Sequence, residues 1–173
     1  MAHTLSYYRV NNNTMAVAYA PPFYNSALVL EVNGMLRIQK RPLEIIRDAC
    51  IDYYSSFDGR REAVMCKTKY RRKVPIPINP DLGIYAFPTH ALDDKACCWI
   101  FYHHVEKIKE GKYNGIVVFK NGMELEVETS AYVLKEQMRR TEDIILDYGG
   151  LSALHFRDEI IAEKQAVYRI KDK

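Results

Sequence analysis

The chain has 173 residues, enough for one domain that buries its own core without disulfides or metal to hold it. Hydrophobic residues at 48% and charged residues at 27% exclude a disordered or fibrous chain, and charges interrupt every apolar run short of the roughly 20 residues a bilayer span requires. The net charge of +3 would not by itself suggest a nucleic-acid binder, but residues 60–73 hold seven Lys or Arg against one Glu, so that segment carries +6 and the rest of the chain −3.

From the N-terminus, MAHTLSYYRVNNN has no basic stretch leading into an apolar core and cleavage site, so export is not expected and the expected compartment is the cytoplasm. Cys50, Cys66, Cys97 and Cys98 are accordingly expected as reduced thiols. A strand is predicted over 14–20. Asn33-Gly34, between apolar stretches, predicts a β-hairpin with a type I′ turn, in which both central residues take positive φ. Residues 42–54 predict a helix: Pro42 suits the first position, Glu44 the positive N-terminal end, and Leu43, Ile46, Cys50 and Tyr53 one face. A second helix would begin after Asp58-Gly59, and Pro75, Pro77 and Pro80 would end it in a proline-rich extended connection.

Further strands are predicted over 84–87 and 98–105, with Phe87, Trp99 and Ile100 in the core and Pro88 shaping a turn. Asn121-Gly122 predicts a second hairpin, and a two-residue loop there pairs Val118 with Leu125 and Ile116 with Val127. Ile116, Val118, Met123, Leu125 and Val127 would then form the core face. Glu124, Glu126 and Glu128 would lie opposite, beside Val117 and Phe119, as a carboxylate surface that repels phosphate. Residues 130–148 predict a helix, with Ser130 as N-cap, Leu134, Met138, Ile145 and Tyr148 on one stripe, and Gly149-Gly150 as the stop. The fold class expected is α+β, a mostly antiparallel sheet built from hairpins with two or three packed helices. Residues 1–148 would form a single globular domain, and 149–173 a C-terminal helix or flexible tail.

Catalytic signatures are scarce: there is no phosphate-binding glycine loop, no Gly-x-Ser-x-Gly and no Cys-x-x-Cys. Cys97, Cys98, His103 and His104, with His90 nearby, are zinc-ligand types, but strand alternation would put Cys98 and His104 on one side and Cys97 and His103 on the other. Buried thiols and ordinary imidazoles are the expectation, with no catalytic residue, metal or cofactor. The basic residues Arg60, Arg61, Lys67, Lys69, Arg71, Arg72 and Lys73 are the stronger signal, because clustered cations release counterions from a phosphate backbone. A solvated surface is the plain alternative, and Tyr70 within the run would either stack on a base or pack on the core. Neither a helix pair, a zinc finger nor a basic zipper leaves its mark.

Six segments in order, RPLEIIRDACIDYYSSFDGRRE at 41–62, KVPIPINP at 73–80, IYAFPTH at 84–90, CCWIFYHHVEKIK at 97–109, VVFKNGMELEV at 117–127 and SAYVLKEQMRRT at 130–141, resemble the bacterial competence transcription factors called ComK. The likeness spans about residues 40–141, and residues 1–39 add little to it. It departs from the family's usual pattern at Cys98, where Gly tends to precede Trp99, and at Val74, where a second Pro is common. The resemblance implies an activator of DNA-uptake genes that reads paired A/T-rich boxes through the minor groove as dimers assembling into a tetramer. It also implies destruction by a Clp protease through an adaptor, although the portion from Gly149 shows no adaptor-recognition segment. Arg60 matches the family's motif, with arginines suited to a narrow A/T-rich groove and lysines to phosphates. The alternatives are an RNA-binding or protein-interaction regulator on the same basic face, and a thiol or metal enzyme built from Cys97, Cys98 and the histidines.

Overall fold

The computed structural model of the chain describes residues 4–150. The chain divides into two compact units, Met1–Thr141 and Glu142–Lys173. The expected tail lies outside the described residues from 151 onward.

Seven strands make the larger sheet of the first unit: β1 (Thr4–Leu5), β2 (Thr14–Tyr19), β3 (Ala27–Glu31), β4 (Gly34–Ile38), β5 (Ile76–Asn79), β6 (Ile84–Pro88) and β7 (Trp99–Phe101). Their order is β1-β4-β3-β2-β7-β6-β5, antiparallel except where β1 runs parallel to β4. A smaller antiparallel sheet, in the order β10-β9-β8, comprises β8 (Val105–Glu110), β9 (Gly115–Phe119) and β10 (Glu124–Val127). The helices are α1 (Pro42–Asp52), α2 (Phe57–Lys67) and α3, helical over 131–150, of which residues up to Thr141 belong to the first unit. This is the α+β, mostly antiparallel architecture that the hairpin and helix patterns predict.

The larger sheet is covered on both faces, which is why its inner strands read as nearly unbroken apolar runs. On one face Val17, Val29, Ile76, Ile84 and Trp99 pack against Ile45, Ile46 and Cys50 of α1 and Phe57 of α2. On the other, Ala16, Leu30, Phe87 and Ile100 meet Val117, Phe119 and Val127 of the smaller sheet and Leu134 of α3. All five residues of β6 are buried. Gly115 permits α3 to lie close on β9: a Cβ there would come within 2.7 Å of Leu134 Cδ1 and 2.9 Å of the Ala131 nitrogen. β5, with Pro77 inside it, is an edge strand, the place in a sheet where a residue without an N–H is tolerated.

Both Asn-Gly pairs make hairpins, with turns that differ from the expectation. In β3–β4 the pairing of Glu31 with Gly34 leaves Val32 and Asn33 as the loop, and neither has positive φ. In β9–β10 Phe119 N donates to Met123 O (2.8 Å) and Gly122 has φ 88°, so Lys120, Asn121 and Gly122 form a three-residue loop. The third loop residue slips the register by one, and in a period-2 strand that exchanges the faces. Val118 pairs with Glu124 and Val117 with Leu125, so Val117 and Phe119 join the core while Ile116 and Val118 lie opposite with the glutamates. That opposite face is mixed in charge, because β8 places Lys107 against Val118 and Lys109 against Ile116, and Lys109 pairs with Glu124.

The strand predicted over 98–105 is two strands separated by a 3-10 turn at Tyr102–His104, where the chain leaves one sheet for the other. Its composition suits strands, but β propensity does not register a bend that switches sheets. Ser130 caps α3, its Oγ accepting from Val133 N (3.2 Å), yet Gly149 and Gly150 remain helical. Glycine ends a helix only when it turns left-handed; otherwise it is a weak helix former that the helix accommodates.

Candidate nucleic-acid interface

Pro42 opens α1, while Glu44 takes the Arg41 N–H (2.8 Å) and ion-pairs with its guanidinium. The Arg41 hydrogen bond holds the Glu44 carboxyl below the usual range. Four residues, 53–56, carry the chain from α1 to α2. Ser56 caps α2, its Oγ accepting from Gly59 N (3.0 Å). A Cβ at Gly59 would sit 2.8 Å from that oxygen, so glycine leaves room for the cap. α2 therefore starts at Phe57, ahead of the predicted Asp58-Gly59, and buries only Phe57 and Val64 among its residues. The sequence shows no helix-pair signature because the left-handed position of this turn, usually glycine, is taken by Tyr54 (φ 58°).

The basic segment is not one cluster. Arg60 and Arg61, both half-buried, lie near the start of α2, about 10 Å along the axis from Lys67 at its end. Arg60 Nε donates to Ser55 Oγ (3.0 Å), which ties its guanidinium to the interhelical turn. Nearby Cys50 is pushed up to about 11 by burial, with Arg60 and Arg47 pulling the other way.

At the far end Thr68 closes the helix, its hydroxyl donating to Val64 O (2.7 Å). Arg71 Nη1 reaches the carbonyls of Met65 (2.7 Å), Thr68 (2.8 Å) and Tyr70 (2.9 Å), so Arg71 neutralises the negative end of α2. Lys67, Lys69, Arg71 and Arg72 are exposed and Lys73 is half-buried, in a left-handed conformation (φ 49°).

The loop that presents these cations is held by α3. Gln137, 1% exposed, donates through Nε2 to Lys73 O (2.8 Å) and to Pro88 O (2.7 Å), using both amide hydrogens. Arg140 Nη1 donates to Arg72 O (3.3 Å), and its guanidinium lies 4.9 Å from the centre of the Tyr70 ring. Tyr70 is thus packed beneath an arginine. Arg139 and Arg140 both ion-pair with Glu136, whose carboxyl is held low chiefly by the Arg139 hydrogen bond. Sequence reasoning missed Gln137, Arg139 and Arg140. A signal was present: Gln137 and Thr141 are polar residues on the helix face that also carries Leu134 and Met138.

Cys97 meets His90 through the backbone, its Sγ donating to His90 O (3.6 Å), while the imidazole rings find other partners. His90 Nε2 donates to Glu128 O (2.9 Å), His104 Nε2 to Asn12 O (2.7 Å), and His103 stacks edge-on against Tyr85 and Tyr102. Burial pushes the Cys98 thiol up to about 12 and raises Cys97 as well, against thiolate formation. Among the described residues no three His, Cys, Asp or Glu side chains are grouped to hold a metal, and no helix is long and apolar enough to cross a membrane.

Comparison with known proteins adds two findings. The family profile described as ComK protein matches residues 5–149. The Competence transcription factor of Bacillus subtilis (strain 168) is 30% identical over 141 residues, which cover 79% of this chain and 72% of that relative. No solved structure matches the chain.

Proposed function

The chain belongs to the ComK family, and on that premise we propose that it is a cytoplasmic activator of competence genes that binds paired A/T-rich boxes in double-stranded DNA through the minor groove. Residues 67–73 would meet the phosphates and groove wall at one end of α2, with Arg60 at the other. The observation that carries this reading is the anchorage of the basic loop: buried Gln137 bonds Lys73 O and ties it to Pro88 O of β6, and Arg140 bonds Arg72 O, so the backbone that displays exposed Lys67, Lys69 and Arg72 is fixed to α3. A solvated charge run needs no such anchorage, whereas a surface that matches phosphate spacing does. Arg71 would contribute mainly by capping α2. Dimers assembling into a tetramer on DNA, and control through a Clp adaptor, are proposed with the family.

Log affinity should fall linearly with log salt, by about 0.9 per neutralised phosphate. Arg71→Ala/Arg72→Ala/Lys73→Ala, if folded, should flatten that slope; an unchanged slope moves the binding surface elsewhere. Tighter binding of RNA or single-stranded DNA than of duplex would replace this reading with the RNA-binding one.

A second reading rests on the helix pair. α2 follows α1 through a four-residue turn and is exposed over most of its surface, as a helix laid in the major groove would be. Inosine·cytosine pairs separate the two: they look like A·T from the minor groove, lacking the guanine amino group, and like G·C from the major groove. Minor-groove reading predicts that inosine·cytosine boxes retain binding, while guanine·cytosine weakens it by about 1–3 kcal/mol per position. Equal weakening by both assigns α2 to the major groove.

A further inference from the structure

The turn between α1 and α2 carries a side chain that neither core nor ion pairs explain. Tyr54 is 100% exposed, and its φ of 58° places a bulky residue in the left-handed region that glycine enters freely. Folding alone favours glycine or asparagine at such a position. A conformation this unfavourable for tyrosine persists where its surroundings over-determine it, and such positions concentrate at functional sites.

The backbone that carries the ring is firmly held. Tyr54 N donates to Ile51 O (2.9 Å), Ser55 N to Cys50 O (2.9 Å), and the Tyr53 hydroxyl to Val10 O (2.8 Å). Cations flank the turn: Ser55 fixes the Arg60 guanidinium, and that of Arg9 lies 5.9 Å from the Tyr53 ring centre. The neighbouring acids are engaged, Asp52 by the Tyr7 hydroxyl (2.7 Å) and Asp58 by Arg47 (3.3 Å). Ile51, 64% exposed, adds apolar surface. A projecting aromatic ring on a fixed backbone, with guanidinium groups held by its chain neighbours Tyr53 and Ser55, suits a nucleobase face with phosphates nearby.

Resting on the DNA-binding reading above, we propose that Tyr54 is a DNA-contacting residue whose ring wedges against a base step of the duplex while Arg60 meets an adjoining phosphate. The rival occupant is a second copy of this chain, and the guanidinium flank favours the polyanion.

The test compares the parent with Tyr54→Gly and Tyr54→Phe, using a duplex with paired A/T-rich boxes in which 2-aminopurine replaces one adenine at a time. In Tyr54→Gly, release of left-handed strain offsets the greater unfolded-state freedom of glycine, so its melting temperature should stay within a few degrees of the parent. Its affinity should fall roughly tenfold, the size of one lost base–aromatic stack. Tyr54→Phe should bind as the parent does. The parent and Tyr54→Phe should brighten 2-aminopurine at one step by unstacking it, and Tyr54→Gly should not. Parent-like affinity in Tyr54→Gly overturns the proposal, and so does a changed oligomeric state, which would make a second copy the occupant. Failure of the parent itself to bind duplex overturns the DNA-binding reading beneath it.

Discussion

The two ends of α2 are secured by different means. At the N-terminal end the bonds are local: Ser56 caps Gly59 and Arg60 reaches back to Ser55, all within one turn of chain. At the C-terminal end Arg71 supplies a local cap, but the loop beyond it is positioned by Gln137 and Arg140, more than sixty residues away in sequence. A candidate DNA contact at the first end depends on its neighbours. The second depends on α3 being in place, so residues of α3 that never touch DNA should govern how well the basic loop does.

The largest test of that contrast is Gln137→Leu. It leaves Lys73 O and Pro88 O without their donor, and at about 1–3 kcal/mol per unsatisfied buried group the loss should be about 3 kcal/mol by denaturant unfolding. DNA affinity should fall too, under conditions where circular dichroism shows the variant folded; parent-like affinity would cut the basic loop free of α3. Ser56→Ala, at the other end, should lose about 1 kcal/mol and change the salt slope of DNA binding by no more than the one phosphate contact of Arg60. A slope flattened by more than that one contact would mean that the two ends are coupled after all. Arg140→Met removes the contact with Tyr70 and the bond to Arg72 O, a loss of about 0.5–1 kcal/mol, and should speed hydrogen exchange over residues 69–73. Protection unchanged there would assign the loop's order to Gln137 alone. The smallest effect belongs to Glu136→Gln, which releases Arg139 and Arg140 from a half-buried carboxylate and should tighten DNA binding about twofold, judged against the small worth of surface ion pairs. Weaker binding would show that Glu136 orients those arginines rather than masking them.

How much of this was legible in the sequence depended on range. α1 emerges almost as its pattern predicts, because Pro42, Glu44 and the Ile46–Cys50 spacing act within a single helix. Asn33-Gly34 and Asn121-Gly122 are the same dipeptide in different turns: the dipeptide marks where a chain reverses, but strand packing chooses the loop length. The resulting one-residue slip exchanged Val117 and Phe119 with Ile116 and Val118. The candidate site divides in the same way. Charge along the chain reveals residues 60–73, whereas the separation of Arg60 from Lys69 needs a helix of known extent. The part played by Gln137 needs the tertiary fold: its place on the face of Leu134 and Met138 marks it for burial, but the carbonyls it bonds, Lys73 O and Pro88 O, are far away in sequence.

The seam between β2 and β7 bears on how the protein is made. It pairs Ala16 with Ile100 and Val17 with Trp99, so the larger sheet closes only across a loop of roughly 80 residues. A ribosome adding 5–20 residues per second takes roughly 10 s to pass from one partner to the other. Through that interval the nascent chain can form its first hairpins and α1, yet β2, whose sequence is TMAVAY, still shows an unpaired edge. Crowding between growing chains is most hazardous before Trp99 emerges, and slower passage through that stretch would lower the yield of usable protein without altering a single contact in the finished fold.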